Sequence, residues 1–140
     1  IEGIHKFTIT TWSDRVTMEK VVKQIEKRID VLKSFLYTDD EIVYQEIALY
    51  KVPTEQLLNE KNLEGIIRRH NARILEITKE YTVIEKSGHN DETEALFEEL
   101  KNYDIRQFVR SGRVAITKST QEYVTMFLEE QARRRAEGLI

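Results

Sequence analysis

An α+β fold is what this sequence predicts, most of it an antiparallel sheet carrying helices on one face. Two observations predict it. Short runs rich in β-branched and aromatic residues alternate with stretches whose apolar residues recur every three or four positions. From Val43 onward these runs follow the order strand, helix, strand, strand, helix, strand. The 140 residues, 40% of them hydrophobic, suffice for one ordinary domain or two very small ones.

Ile4 to Thr11 is predicted as a strand from its Ile, Phe and Thr content. Trp12 after it is expected to pack rather than to stack on a ligand. Ser13 or Asp14 can cap the next helix, since a short side-chain oxygen satisfies the free N–H groups at its start. That helix sets Met18, Val21, Val22, Ile25 and Ile29 on one face, with Lys20, Lys23, Glu26 and Lys27 opposite. Val31 to Tyr37 is predicted to return as a strand. Thr38 to Glu41 is the expected linker.

In the next strand Val43, Ile47 and Leu49 alternate with Tyr44, Ala48, Tyr50 and Val52, the pattern of a strand covered on both sides. Pro53 and Thr54 end it and begin a helix, with Thr54 as N-cap. Leu57, Leu58, Leu63, Ile66 and Ile67 form its apolar face, interrupted by Gly65, and Arg68, Arg69 and His70 suit its negative C-terminal end. Ala72 to Thr78 and Tyr81 to Lys86 read as a hairpin. Asn90 or Asp91 is expected to cap a helix burying Ala95, Leu96, Leu100 and Tyr103, with Phe97 at its edge. Ile105 to Val109 and Val114 to Thr117 are strand segments flanking Ser111 and Gly112. A last helix starts at Thr120, with Tyr123, Met126 and Phe127, and ends in Arg133, Arg134 and Arg135.

The order from Val43 is the split βαβ, or ferredoxin-like (βαββαβ), arrangement. The expected boundaries are residues 1–38, a strand–helix–strand piece; 41–118, a complete ferredoxin-like domain; and 119–140, a C-terminal helix. A piece below about 40 residues cannot bury enough surface to stand alone, so the first one needs a partner.

Composition removes several functions. There is no cysteine, so thiolate metal sites, disulfides and cysteine nucleophiles are excluded. No apolar run reaches the roughly 20 residues that span a bilayer, and no signal-peptide pattern opens the chain; a cytoplasmic protein with no membrane partner is expected. The net charge of -3 argues against a nucleic-acid partner. The ferredoxin-like order also occurs in RNA-binding sheets, but the segments YTVIEK and FVRSGRVAI lack the glycine–aromatic run of that platform. His5, His70 and His89 have no partner at metal-ligand spacing and are read as structural or surface residues, and no phosphate-binding or nucleophile motif is present. No catalytic, cofactor-binding or metal residue is therefore predicted. One stretch stands out: Gly112 lies between two strand segments, where a bulge or bend needs a residue without Cβ, and Arg110 and Arg113 flank it. Solvated arginines at a tight turn compete there with a paired or interface role.

Five segments resemble, in order and spacing, the small regulatory subunits of acetohydroxyacid synthase, also called acetolactate synthase. Gln24 to Leu32 is similar to that family's helix-to-strand junction. Tyr44 to Val52 resembles its R-E-L-x-L-I/V-K-V strand, with Gln45 where arginine is common. His70 to Ile77 resembles F-R-A-R-I-V-D-V, Tyr81 to Gly88 resembles T-V-E-V-T-G, and Arg110 to Ile116 resembles R-[ST]-G-x-[VI]-A-[LM]. The resemblance implies an ACT-type domain followed by a second ferredoxin-like domain, a homodimer, and a catalytic large subunit as partner. It implies activation of that subunit and feedback inhibition by valine or a related branched-chain amino acid. Thiamine diphosphate, magnesium and FAD would be held by the catalytic subunit, which condenses 2-oxo acids, with no cofactor in this chain. Glu46, Arg110, Gly112 and Arg113 are the candidate interface residues. The family's effector loop would precede Ile1, so valine binding is expected to be weak or lost if the 140 residues are the whole molecule, while contacts of the second domain survive. A free-standing ACT-like amino-acid sensor is the competing expectation, and an enzyme on this scaffold the weakest.

Overall fold

The computed structural model describes residues 3–59 and 61–139. Ile1, Glu2 and Ile140, at the ends of the expected first and last segments, and Glu60, inside the expected second helix, lie outside the described residues. The described chain divides into two compact units, one of residues up to 10 with most of 44–115, the other of residues 11–43 with those from 116 onward.

The first unit is built on a long strand β1 (Ile42–Pro53), with helices α2 (Thr54–Asn59) and α3 (Lys61–Arg69) after it. Then come β2 (Arg73–Ile77), β3 (Tyr81–Gly88), α4 (Asn90–Leu100), β4 (Gln107–Arg110) and β5 (Val114–Thr117). The sheet order is β2-β3-β1-β4, with β5 also paired to β1, and each of the β1–β3, β1–β4 and β2–β3 ladders is antiparallel. This is the ferredoxin-like topology read from the element order. Ala48, Tyr50 and Val52 of β1 and Ile84 of β3 point into the core, where Leu63, Ile66 and Ile67 of α3 and Leu96 and Leu100 of α4 cover them. Tyr50 brings a hydroxyl into this core and donates it to the Thr93 carbonyl at 2.6 Å, while its ring stacks on Phe108. Burial therefore strands no polar atom there.

The other face of β1 departs from expectation. Ile47 is 47% and Val43 53% exposed, because helices cover only the opposite side of the sheet. Three local readings shift as well. Thr54 occupies the first position of α2 and spends its hydroxyl on the Thr78 carbonyl (2.7 Å) and Thr82 Oγ1 (3.0 Å), tying helix to hairpin rather than capping. His89, not Asn90 or Asp91, is the N-cap of α4, and Glu92 returns its carboxylate to the His89 N–H at 2.7 Å. Thr93, Leu96 and Leu100 are that helix's buried residues, and Ala95 faces out.

In the second unit α1 (Arg15–Glu26) is capped by Asp14, which accepts from Thr17 N at 2.9 Å. Met18, Val21, Val22 and Ile25 are half-buried, but the helix stops before Ile29, which is fully exposed. Lys33 and the Ser34 N–H both reach Glu26 and hold its carboxyl below the usual range. Thr38 to Glu41, expected as a linker, closes a 3-10 turn, Asp39–Glu41, with a reciprocal cap. The last helix, α5 (Tyr123–Ala136), buries no residue; Tyr123 at its start approaches Phe35, which stacks on Tyr37 at 6.2 Å.

Neither Ile4–Thr11 nor Val31–Tyr37 is a strand. A strand is a ladder, and β propensity cannot supply the partner whose N–H and C=O groups complete it. Among the described residues no such ladder forms for either run. Trp12, expected to pack, is 94% exposed.

Candidate functional site

The four residues singled out in the sequence come from one region of the first unit, where β1 meets β4 and β5. Between those two strands the chain folds over Ser111 and Gly112. Ser111 N–H donates to the Ile47 carbonyl and its Oγ accepts from the Ile47 N–H, both at 2.9 Å, so the side chain replaces a missing ladder partner. Gly112 follows with φ +74°, in the left-handed region where a Cβ is strained. Glycine at this break between the two strands is thus a backbone requirement.

The arginines turn to different partners. Arg110 donates to Asn90 Oδ1 and to Glu94 Oε2 (3.1 Å) at the start of α4 and lies over the Phe108 ring. The Arg113 guanidinium lies 4.1 Å from the centroid of Tyr44. His89 stacks on the same tyrosine at 4.1 Å, and its Nε2 is 3.1 Å from the Tyr44 carbonyl oxygen. Since β3 and β5 flank β1, the ring is gripped from both sides. Both arginines have structural partners and remain at the surface.

Glu46 is not at the surface. It is 6% exposed, on the helix-covered face of β1, and its carboxylate accepts the Thr93 hydroxyl at 2.6 Å. As an interface residue it would act through Thr93 and α4 and not by touching a partner. Alternation along β1 carried this signal, because Glu46 shares its face with Ala48, Tyr50 and Val52.

His70 and His89 are likewise engaged within the fold, and His5 is exposed. His70, mostly buried at the end of α3, meets Glu99 of α4 at 2.9 Å, and Arg69 reaches the same carboxylate. The two hold the Glu99 carboxyl below its ordinary 4.5, the His70 bond first. The atoms of His89, Asp91 and Glu92 that could ligate a metal lie within 4.8 Å of one another. Glu92 is engaged in the α4 cap, and the Lys86 ammonium 3.8 Å from it opposes a cation. The three serve the helix start.

The open sheet face is the feature that single-residue reading missed. The register sets Leu49 of β1 between Val109 of β4 and Glu85 of β3, and Ile47 opposite Ser87 of β3. Ile47, Leu49 and Val109 are all exposed, and Arg73 pairs with Glu85 at the patch edge. The β1 alternation held the signal, since both its faces are apolar and helices supply one cover.

A family profile described as "Small subunit of acetolactate synthase" matches residues 45–119, which contain β2 to β5, α2 to α4 and all but the first residues of β1. The chain is similar to the acetolactate synthase small subunit of Bacillus subtilis, 34% identical over 105 residues, which are 75% of this chain and 60% of that one. It is 32% identical over 115 residues to the acetolactate synthase small subunit of Aquifex aeolicus, covering 82% and 60%. The chain thus spans about 60% of the length of these relatives. The crystal structure of the acetolactate synthase small subunit from Thermotoga maritima superposes with a TM-score of 0.67 over 79% of this chain and 68% of that one. At 23% identity that likeness concerns the fold. Among the described residues no helix is long and apolar enough to cross a membrane.

Proposed function

This chain belongs to the acetolactate synthase small-subunit family, and on that premise we propose that it is a regulatory subunit. It binds the catalytic large subunit, raises its activity, and takes part in feedback inhibition by valine. The observation that carries this reading is the coincidence of the family match, residues 45–119, with the folded βαββαβ unit. Residues 41–118 are read as the family's second ferredoxin-like domain, and residues 1–38 as the later part of its ACT-type domain. Thiamine diphosphate, magnesium and FAD belong to the catalytic partner, which carries out the carboligation in the cytoplasm.

The mechanism is differential contact. An effector that binds one arrangement of the regulatory subunits better shifts the population toward it, and that arrangement alters the order of the partner's active site. A second copy covers the open sheet face. Stable dimers bury more apolar surface than transient complexes, and Ile47, Leu49 and Val109 offer such a face. Arg110 and Arg113, on either side of Ser111 and Gly112, line the rim toward a partner.

Capture of the thiamine-dependent large subunit on the immobilised chain, followed by an acetolactate assay with and without the chain, tests the proposal. Capture and a rise in acetolactate formation are the expected results. Failure of both, with the large subunit active alone, overturns the reading in favour of a free-standing amino-acid sensor.

A further inference from the structure

A cleft of about 300 Å³ lies between the end of α3 and the first turns of α4. Arg69, His70, Asn71, Asp91, Glu92 and Ala95 line it, together with Lys86 of β3. Lys86 shares the helix-covered face of its strand with Thr82 and Ile84, and its side chain is only 8% exposed. A lysine so placed loses most of its hydration, and only close partners offset that loss. Its nearest carboxylate oxygen, Glu92 Oε1, is 3.8 Å away, outside hydrogen-bond reach. Among the described residues no side-chain nitrogen or oxygen sealed from solvent lacks a hydrogen bond. The Lys86 ammonium, which makes none, is therefore reached from the cleft.

Charge selects the ligand. Arg69 and His70 pair with Glu99 at the rim, and inside the cleft one buried ammonium faces two exposed carboxylates, Asp91 and Glu92. A simple anion would meet those carboxylates, and a simple cation would meet Lys86. We propose that the cleft binds a small zwitterion of the α-amino-acid type. Its carboxylate accepts from Lys86 Nζ, and its ammonium donates to Glu92 Oε1 and to Asp91. The two ends of such a molecule hang from one carbon, so it can bond both members of a pair held 3.8 Å apart. Ala95 is the one aliphatic side chain of the lining, so the amino acid admitted has a small or polar side chain. The site lies wholly within the first unit and does not depend on the subunit reading.

Titration of the isotope-labelled full chain with glycine, followed by NMR, tests the site. Saturable shifts at Lys86, Asp91, Glu92 and Ala95 are expected, with acetate and ethylammonium each binding about tenfold or more weakly. Lys86→Met should weaken glycine by about the same factor, with unmoved Ile84 and Leu96 amides reporting an intact core. Asp91→Asn, an exposed change that leaves the core alone, should weaken glycine and not acetate. The proposal is overturned by the absence of saturable shifts, by acetate binding as tightly as glycine, or by unchanged glycine affinity in Asp91→Asn or folded Lys86→Met.

Discussion

Gly112 and Thr93 show how unequal the contributions of single residues are. Gly112 holds φ +74° with open space where a Cβ would project, so its replacement meets backbone strain and no clash. Gly112→Ala should cost about 1–2 kcal/mol, read from the urea midpoint at unchanged slope. Thr93 supplies the hydroxyl that satisfies the buried Glu46 carboxylate. Thr93→Val keeps the shape and strands that carboxylate, a loss of about 1–3 kcal/mol. Arg113 lies over the Tyr44 ring, a cation–π contact worth about 0.5–1 kcal/mol, so Arg113→Ala should cost at least that much. Glu99 adds a pH dependence. Its carboxyl is held below its ordinary 4.5, so its contribution is present above that value and is lost as pH falls through the lowered one. Its side chain is more than a third exposed, which screens the effect to about 0.5 kcal/mol. Glu99→Gln should flatten the acid limb of the stability–pH curve by that amount and leave neutral-pH unfolding otherwise cooperative.

At the scale of elements, α4 shows why boundaries escape the sequence. Histidine is not a favoured cap, so Asn90 and Asp91 attract the prediction. The cap at His89 works because Glu92 reaches back to it, and Gly88 leaves room for that carboxylate. A Cβ at Gly88 would stand 2.7 Å from Glu92 Oε2. Gly88→Ala should therefore displace a flexible side chain, open the reciprocal cap and cost about 0.5–2 kcal/mol. Faster amide exchange at Glu92 and Thr93, with Leu100 unchanged, is the expected signature. The inward face still runs through Leu96 and Leu100, one turn on from Thr93, and Ala95 falls outside it. The strands mispredicted at Ile4–Thr11 and Val31–Tyr37 fail for a different reason: their composition is right and the ladder is missing.

For the whole molecule, the sheet's two faces decide what the protein can meet. One is closed by α2, α3 and α4, and the other presents Ile47, Leu49 and Val109. With a second copy on the open face, Ile47→Glu should move the sedimentation profile from dimer to monomer, and the far-ultraviolet spectrum should not change. A dimer that persists in this variant places the contact elsewhere. Glu46 cannot contribute there, being on the closed face, whereas Arg110 and Arg113 remain within reach of a partner.

By itself the sequence determined the order of the βαββαβ elements, most of the core positions, the need for glycine at position 112 and the family. These are legible because periods of two and 3.6 residues, turn chemistry and motif spacing are written into short windows of chain. Only the tertiary structure decided which apolar face of β1 is covered, that Glu46 is buried against Thr93, and that Lys86 opens into a cleft. Each of these depends on groups far apart in sequence, as Glu46 and Thr93 are at 47 positions. No local pattern states which of two apolar faces a helix will choose, because that choice is set by the packing of the whole sheet.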